Sequence, residues 1–195
     1  RSFNGVLVAN RGEIAIRITR AIQDLGIRAV AVHSEDDALS LHTQIADEKI
    51  QLEGMGAAAY LNMEGIIAAA QGSGCDAIHP GYGFLSEQEA FANLCADAGI
   101  KFIGPSAAHL SLFGDKARAR AAAIAAGVPV MPGLDRAVTL SEAQEFFAQH
   151  PDGIMIKALA GGGGRGTRAV TDSEQLEALF HRCQSEAEAA FGIAD

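Results

Sequence analysis

Ile154-Met155-Ile156-Lys157 is followed, from Ala160 to Arg168, by AGGGGRGTR, with five glycines between Gly161 and Gly166. Glycine tolerates positive φ and has no Cβ, so backbone amides can close around an anion such as a phosphate. Strand alternation puts Met155 and Lys157 on one face and Ile154 and Ile156 on the other. An apolar contact and a cation then stand beside a loop of accessible amides, which is the chemistry of a nucleotide site. The run is not a Walker loop, which needs GxxxxGK[ST] and opens a helix. Thr167-Arg168-Ala169-Val170 reads instead as a second strand, so the glycines form a hairpin tip able to close over a ligand. A flexible linker can also be glycine-rich, but linkers usually carry serine and lack a flanking apolar strand.

Three further stretches carry polar groups at strategic points. His79-Pro80-Gly81-Tyr82-Gly83-Phe84-Leu85-Ser86-Glu87 follows an apolar strand, and ligand crevices of open α/β sheets lie outside the carboxyl ends of strands. Ser86 as a helix cap and the two glycines as turn formers explain half of that motif structurally. His79 and Tyr82 are left over, so a structural and a functional reading both stand. Ala9-Asn10-Arg11-Gly12-Glu13 is the turn from the first strand into the first helix; it lacks GxGxxG, and one glycine beside a bulky Arg11 reads as a structural turn. Lys116 follows Asp115, a credible N-cap, and a lysine in a helix's first turn opposes the dipole unless an anion is nearby. The other histidines show no ligand spacing, and Arg118, Arg120, Glu186 and Glu188 read as solvated helix faces.

These residues need a scaffold, and the pattern supplies one. Apolar runs at Val6–Ala9, Ala29–His33, Lys49–Leu52, Asp76–His79 and Lys101–Ile103 alternate with helical periodicities, including Ile14, Ile18, Ala21, Ile22 and Leu25. Alternating strand and helix predicts right-handed crossovers and an α/β fold with a parallel, doubly wound, Rossmann-like sheet. After Gly104-Pro105 the order changes to helix, helix, extended connector, helix, glycine-tipped hairpin and a last helix from about Ser173. That is a small α+β unit, and the expected division is 1–113 and 114–195.

Composition narrows the function classes. Fifteen Lys+Arg against 24 Asp+Glu give a net charge of −9, which argues against general binding to nucleic acid or anionic membranes. No apolar run approaches a membrane span. Cys75, Cys95 and Cys183 are scattered and odd in number, fitting neither a disulfide framework nor a metal site, so reduced buried thiols and a cytoplasmic location are expected. The chain starts Arg1-Ser2 and stops at Asp195 within a helical pattern; the expectation is a fragment.

Taken together, VANRGEIAIR (Val8–Arg17), AIHPGYGFLSE (Ala77–Glu87), FIGP (Phe102–Pro105), GDK (Gly114–Lys116), GVPVMPG (Gly127–Gly133) and IKALAGGGGRGTR (Ile156–Arg168) strongly resemble biotin carboxylase. This is the ATP-grasp component of biotin-dependent carboxylases, and the motifs occur in family order across essentially the whole chain. The resemblance implies a pre-ATP-grasp α/β domain followed by the start of an ATP-grasp domain with much of its lid. It implies formation of carboxyphosphate from ATP and bicarbonate, then carboxylation of biotin held on a carrier domain.

Carried over by position, Lys116 and Lys157 match ATP-contacting lysines, and Met155 falls where a family residue packs the adenine. Gly161, Gly162, Gly163, Gly164, Arg165 and Gly166 match the lid loop over the phosphates. Tyr82 and Gly83 match positions near the biotin pocket, and Arg17 and Arg20 match a helix that helps form a homodimer in bacterial enzymes. Two departures stand out: Thr167 replaces a methionine that packs on adenine, and Leu159-Ala160 replace a Ser-Gly pair at the lid hinge. The resemblance places the residues that hold Mg²⁺, bind bicarbonate and act as base beyond residue 195, so no catalytic residue and no metal ligand is assigned here and the fragment alone is expected to be inactive. The implied partners are a biotin carboxyl carrier domain and a carboxyltransferase. The other readings are a different ATP-grasp ligase and a non-catalytic nucleotide-binding module.

Overall fold

Val6 and Val8 point to one side of the first strand and Leu7 and Ala9 to the other, and all four are buried. Only a strand covered on both faces buries such a run, which is the mark of a parallel sheet between helices. A computed structural model describes residues 3–134, 136–158 and 166–191. It forms two compact units, 1–119 and 120–195.

The first unit runs β1 (Gly5–Val8), α1 (Gly12–Asp24), β2 (Arg28–His33), α2 (Leu41–Ile45), β3 (Glu48–Gln51), α3 (Gly56–Ala59), α4 (Met63–Gly72), β4 (Ala77–His79), α5 (Glu89–Asp97), β5 (Lys101–Phe102), α6 (Ala107–Gly114) and the start of α7 (Lys116–Ala125). Its five strands are all parallel, in the order β3-β2-β1-β4-β5. The doubly wound sheet is as the alternation predicts, with strand limits shifted by about a residue. One face is closed by α1, whose Ala15, Ile18 and Ile22 pack with Val6, Val8, Ala29 and Ala77. The other face carries the larger cluster, in which Leu7, Val30, Val32 and Ile78 meet Tyr60, Ile66, Phe91 and Cys95.

Strand order reverses between β1 and β4. Chain segments diverge there to opposite faces of the sheet, leaving a crevice at the carboxyl ends of the two strands. The residues leaving those ends are Asn10–Glu13 and Pro80–Gly83.

Some local expectations are corrected. Ser86 does not cap a helix at Glu87: its amide donates to Gly83 O in a turn, and α5 begins at Glu89 with Gln88 as N-cap. Phe84 takes φ 41°, so the chain leaves the glycine pair in a second tight bend that delays the helix. Helices α2 and α3, five and four residues long, carry too little periodicity to register in the sequence. Asp115 does cap α7, its carboxylate accepting from Arg118 N at 2.9 Å.

The second unit contains α8 (Leu140–Gln149), the antiparallel pair β6 (Ile154–Lys157) and β7 (Thr167–Val170), and α9 (Ser173–Phe191). α8 opens with a capping box in which Thr139 and Glu142 satisfy each other's backbone amides. Ile154 and Ile156 pack with Ala143, Val170, Leu176 and Phe180 beneath the hairpin. Glu186 is not part of a solvated face: it is half-buried and pairs with Arg168 of β7 and, at 3.3 Å, with Arg182. No helix among the described residues is long and apolar enough to cross a membrane.

Candidate functional site

In the hairpin, register decides which side chains share a face. Lys157 pairs with Thr167 and Met155 with Ala169, while Ile154 and Ile156 oppose Val170 and Arg168. Directly opposed residues of an antiparallel pair project to the same side. Met155, Lys157 and Thr167 therefore share the outer face, with Met155 52% exposed despite its apolar side chain. The strand alternation read from the sequence is the alternation observed.

Gly166 immediately precedes the return strand, at φ 64°, and a Cβ there would sit 3.0 Å from the Ala158 Cβ. Both facts restrict the position to glycine. Ala158 N donates to Gly166 O at 2.8 Å, which closes the hairpin ladder one step past Lys157. Gly161, Gly162, Gly163, Gly164 and Arg165, with Leu159 and Ala160, lie outside the described residues.

Beside the hairpin is a cleft of about 430 Å³ whose walls include Met155, Lys157, Phe146, His150, Arg120 and Arg136. The phenyl ring of Phe146 stacks on the imidazole of His150 at 4.3 Å. Arg136 is engaged by Glu142 at 2.7 Å, and that hydrogen bond, with those from Thr139, draws the Glu142 carboxyl down to about 2. The cleft thus combines flat apolar surface with cationic groups, as a nucleotide requires. That Arg120, Arg136 and His150 line this cleft was not legible in the sequence, because their approach depends on tertiary packing.

In the first unit the crevice between β1 and β4 is built from the two turns. Asn10 is 2% exposed, and its Nδ2 donates to Pro80 O at 2.7 Å and Tyr82 O at 2.8 Å. Its Oδ1 accepts from Arg11 N at 2.9 Å. Gly81 N donates to His79 Nδ1 at 3.1 Å, which leaves Nε2 to carry the proton of the neutral ring. Burial lowers the His79 pKa and keeps that neutral form. The Tyr82 ring is 61% exposed, and its hydroxyl donates to the Glu13 carboxylate. Gly83, at φ 66°, is exposed beside it.

Behind this crevice Arg11 pairs with Asp37 at 3.0 Å and lies 5.8 Å from the Tyr60 ring centre. Burial alone would raise the Asp37 pKa, but hydrogen bonds from Tyr60, Ser40 and Arg11 outweigh it and the net shift is downward. Arg11 is thereby absorbed into the scaffold. Lys116 is exposed in the first turn of α7, and Arg17 and Arg20 are exposed on α1. Among the described residues no group of three His, Cys, Asp or Glu side chains could hold a metal ion. Cys75, Cys95 and Cys183 are free and buried.

Comparison with known proteins accounts for both units. Residues 2–110 match the family described as biotin carboxylase, N-terminal domain, and residues 115–195 match the carbamoyl-phosphate synthase L chain, ATP binding domain. The chain is 53% identical to pyruvate carboxylase of Staphylococcus aureus over its whole length but spans 17% of that protein. It is 49% identical to biotin carboxylase of Nostoc and spans 43% of it. Among solved structures, biotin carboxylase from Campylobacter jejuni in a β-γ-ATP complex superposes with a TM-score of 0.90 at 42% identity, covering 99% of this chain and 44% of that one. The biotin carboxylase domain of Hydrogenobacter thermophilus 2-oxoglutarate carboxylase, in complex with MgADP, ADP and bicarbonate, gives 0.86 at 43% identity, covering 100% of this chain and 43% of that one. A doubly wound first unit with its polar turns at the strand-order reversal, a lysine-bearing hairpin in the second, and matches running end to end make one assignment: the chain belongs to the biotin carboxylase family.

Proposed function

We propose that this chain is the N-terminal part of a biotin carboxylase component, acting within a larger biotin-dependent carboxylase. That assembly uses ATP and bicarbonate to make carboxyphosphate and transfers the carboxyl group to biotin carried on a separate domain. The observation that carries the reading is the shared outer face of Met155, Lys157 and Thr167, set at the two ends of the glycine run. A cation there neutralises phosphate charge, and Met155 gives the adenine ring an apolar surface.

On this proposal Lys116 contributes a second phosphate contact, and Gly161 to Gly166 with Arg165 form the lid over the phosphates. Tyr82 and Gly83 lie beside the biotin ring, at the crevice where the strand order reverses. Phosphate charge and Mg²⁺ act together in such chemistry. On the family resemblance, the residues that hold Mg²⁺ lie beyond residue 195. Our division of domains is 1–113 and 114–195. A carrier domain and a carboxyltransferase are the partners, Arg17 and Arg20 on α1 face a second copy, and three buried free thiols suit the reducing cytoplasm.

The direct test is incorporation of labelled bicarbonate into free biotin by the intact protein with MgATP. Label in biotin that depends on ATP supports the proposal. ATP hydrolysis without any label in biotin, at saturating biotin, points to another ATP-grasp ligase.

A further inference from the structure

The Asn10-Arg11-Gly12-Glu13 turn reads from sequence as structural punctuation, and the function described above gives it no task. The structure gives it one. Its first and last residues both reach across to the loop after β4, from the opposite lip of the crevice.

The backbone of that loop is held at several points. Asn10 Nδ2 bridges the carbonyls of Pro80 and Tyr82. On the far side Leu85 is 2% exposed, and the Phe84 ring packs on Tyr60 at 5.3 Å. What remains unsupported by packing is the Tyr82 ring, which projects into solvent. Its hydroxyl donates to Glu13, a residue in the first turn of a 13-residue helix whose other face is locked to the sheet. A carboxylate there also complements the helix dipole, so Glu13 is a fixed point rather than a mobile one.

We propose that Glu13 is a positioning residue for Tyr82, holding the phenol ring in one orientation at the mouth of the crevice so that it is ready to receive biotin. The inference rests on the placement of Tyr82 beside biotin argued above. Preorganisation of this kind lowers the ordering cost of binding and leaves the chemical step alone. Loss of Glu13 therefore weakens biotin binding without slowing turnover at saturation. The same contact disfavours the phenolate, first through the hydrogen bond and then through burial and like charge, and raises the Tyr82 pKa above its ordinary value.

The test is steady-state kinetics with free biotin on the intact protein, comparing Glu13→Ala, Glu13→Gln, Tyr82→Phe and the Glu13→Ala/Tyr82→Phe double variant. Glu13→Ala and Tyr82→Phe are each expected to raise KM for biotin about three- to tenfold, the scale of one net hydrogen bond at a solvent-exposed site. kcat should stay within about twofold, the double variant should be no worse than either single one, and Glu13→Gln, which keeps an acceptor, should recover part of the loss. An unchanged KM in Glu13→Ala, or effects that multiply in the double variant, overturns the proposal. Failure of the underlying function looks different: the unmutated protein then shows no response to biotin. In that event spectrophotometric titration of the intact protein still tests the contact, because the difference between the unmutated protein and Tyr82→Phe isolates the Tyr82 phenol. A Tyr82 midpoint that falls in Glu13→Ala upholds it, and an unmoved midpoint overturns it.

Discussion

A Cβ on Gly81 would lie 2.6 Å from Asn10 Nδ2, the same nitrogen that donates to the carbonyls of Pro80 and Tyr82 on either side of it. The absence of a side chain at one residue is thus what lets the other knit two turns together across the strand-order reversal. Gly81 also sits at φ 70°, where side chains are strained.

Gly81→Ala is accordingly expected to destabilise the first unit by about 1–3 kcal/mol, combining the strained φ with displacement of the Asn10 amide. Urea unfolding measures it. A change within the roughly 0.5 kcal/mol typical of neutral surface substitutions would mean that the two turns are not coupled in this way.

Tyr60 predicts an alkaline limit to stability. Burial, then its hydrogen bond to Asp37, pushes the phenol up to about 12. Since the folded pKa lies above the unfolded one near 10, the protonated form carries the stabilisation. It is fully present below about pH 10 and lost as pH rises toward 12, a change of roughly 2–3 kcal/mol. Unfolding free energies measured across that window should fall in the unmutated protein and fall less steeply in Tyr60→Phe. Parallel curves for the two would contradict the assignment.

Much of the scaffold was legible, because burial on both faces forces continuous apolar runs such as Val6–Ala9 and Ala29–His33. The Met155/Lys157 face was legible for a related reason: two-residue alternation leaves no other arrangement once Ile154 and Ile156 turn toward the core, where they are half-buried. Asn10 and Glu13 were not, since their roles depend on partners some 70 residues away that only the sheet order brings near. The late start of α5 was hidden by the positive φ of Phe84, a conformation that its residue type does not announce. The Thr139/Glu142 capping box is written in the sequence as a T-x-x-E spacing ahead of the apolar positions of α8.

Thr167 stands across the hairpin from Lys157 on the face that also carries Met155. Thr167→Met adds apolar area beside Met155, where an adenine would lie. A gain of about 1 kcal/mol is expected from the added methylene-scale burial, or roughly fivefold tighter ATP binding by calorimetry. Unchanged or weaker binding would remove this face from the adenine site.

On the proposed function, Lys157 serves phosphate chemistry coupled to biotin. Phosphate release from ATP by the intact protein, with bicarbonate and Mg²⁺, should rise on addition of free biotin. In Lys157→Ala that rise should drop by about a hundredfold, the scale of losing one charge contact made in the transition state. Biotin stimulation that persists undiminished in Lys157→Ala would contradict the account, as would its absence from the unmutated protein while ATP is still bound.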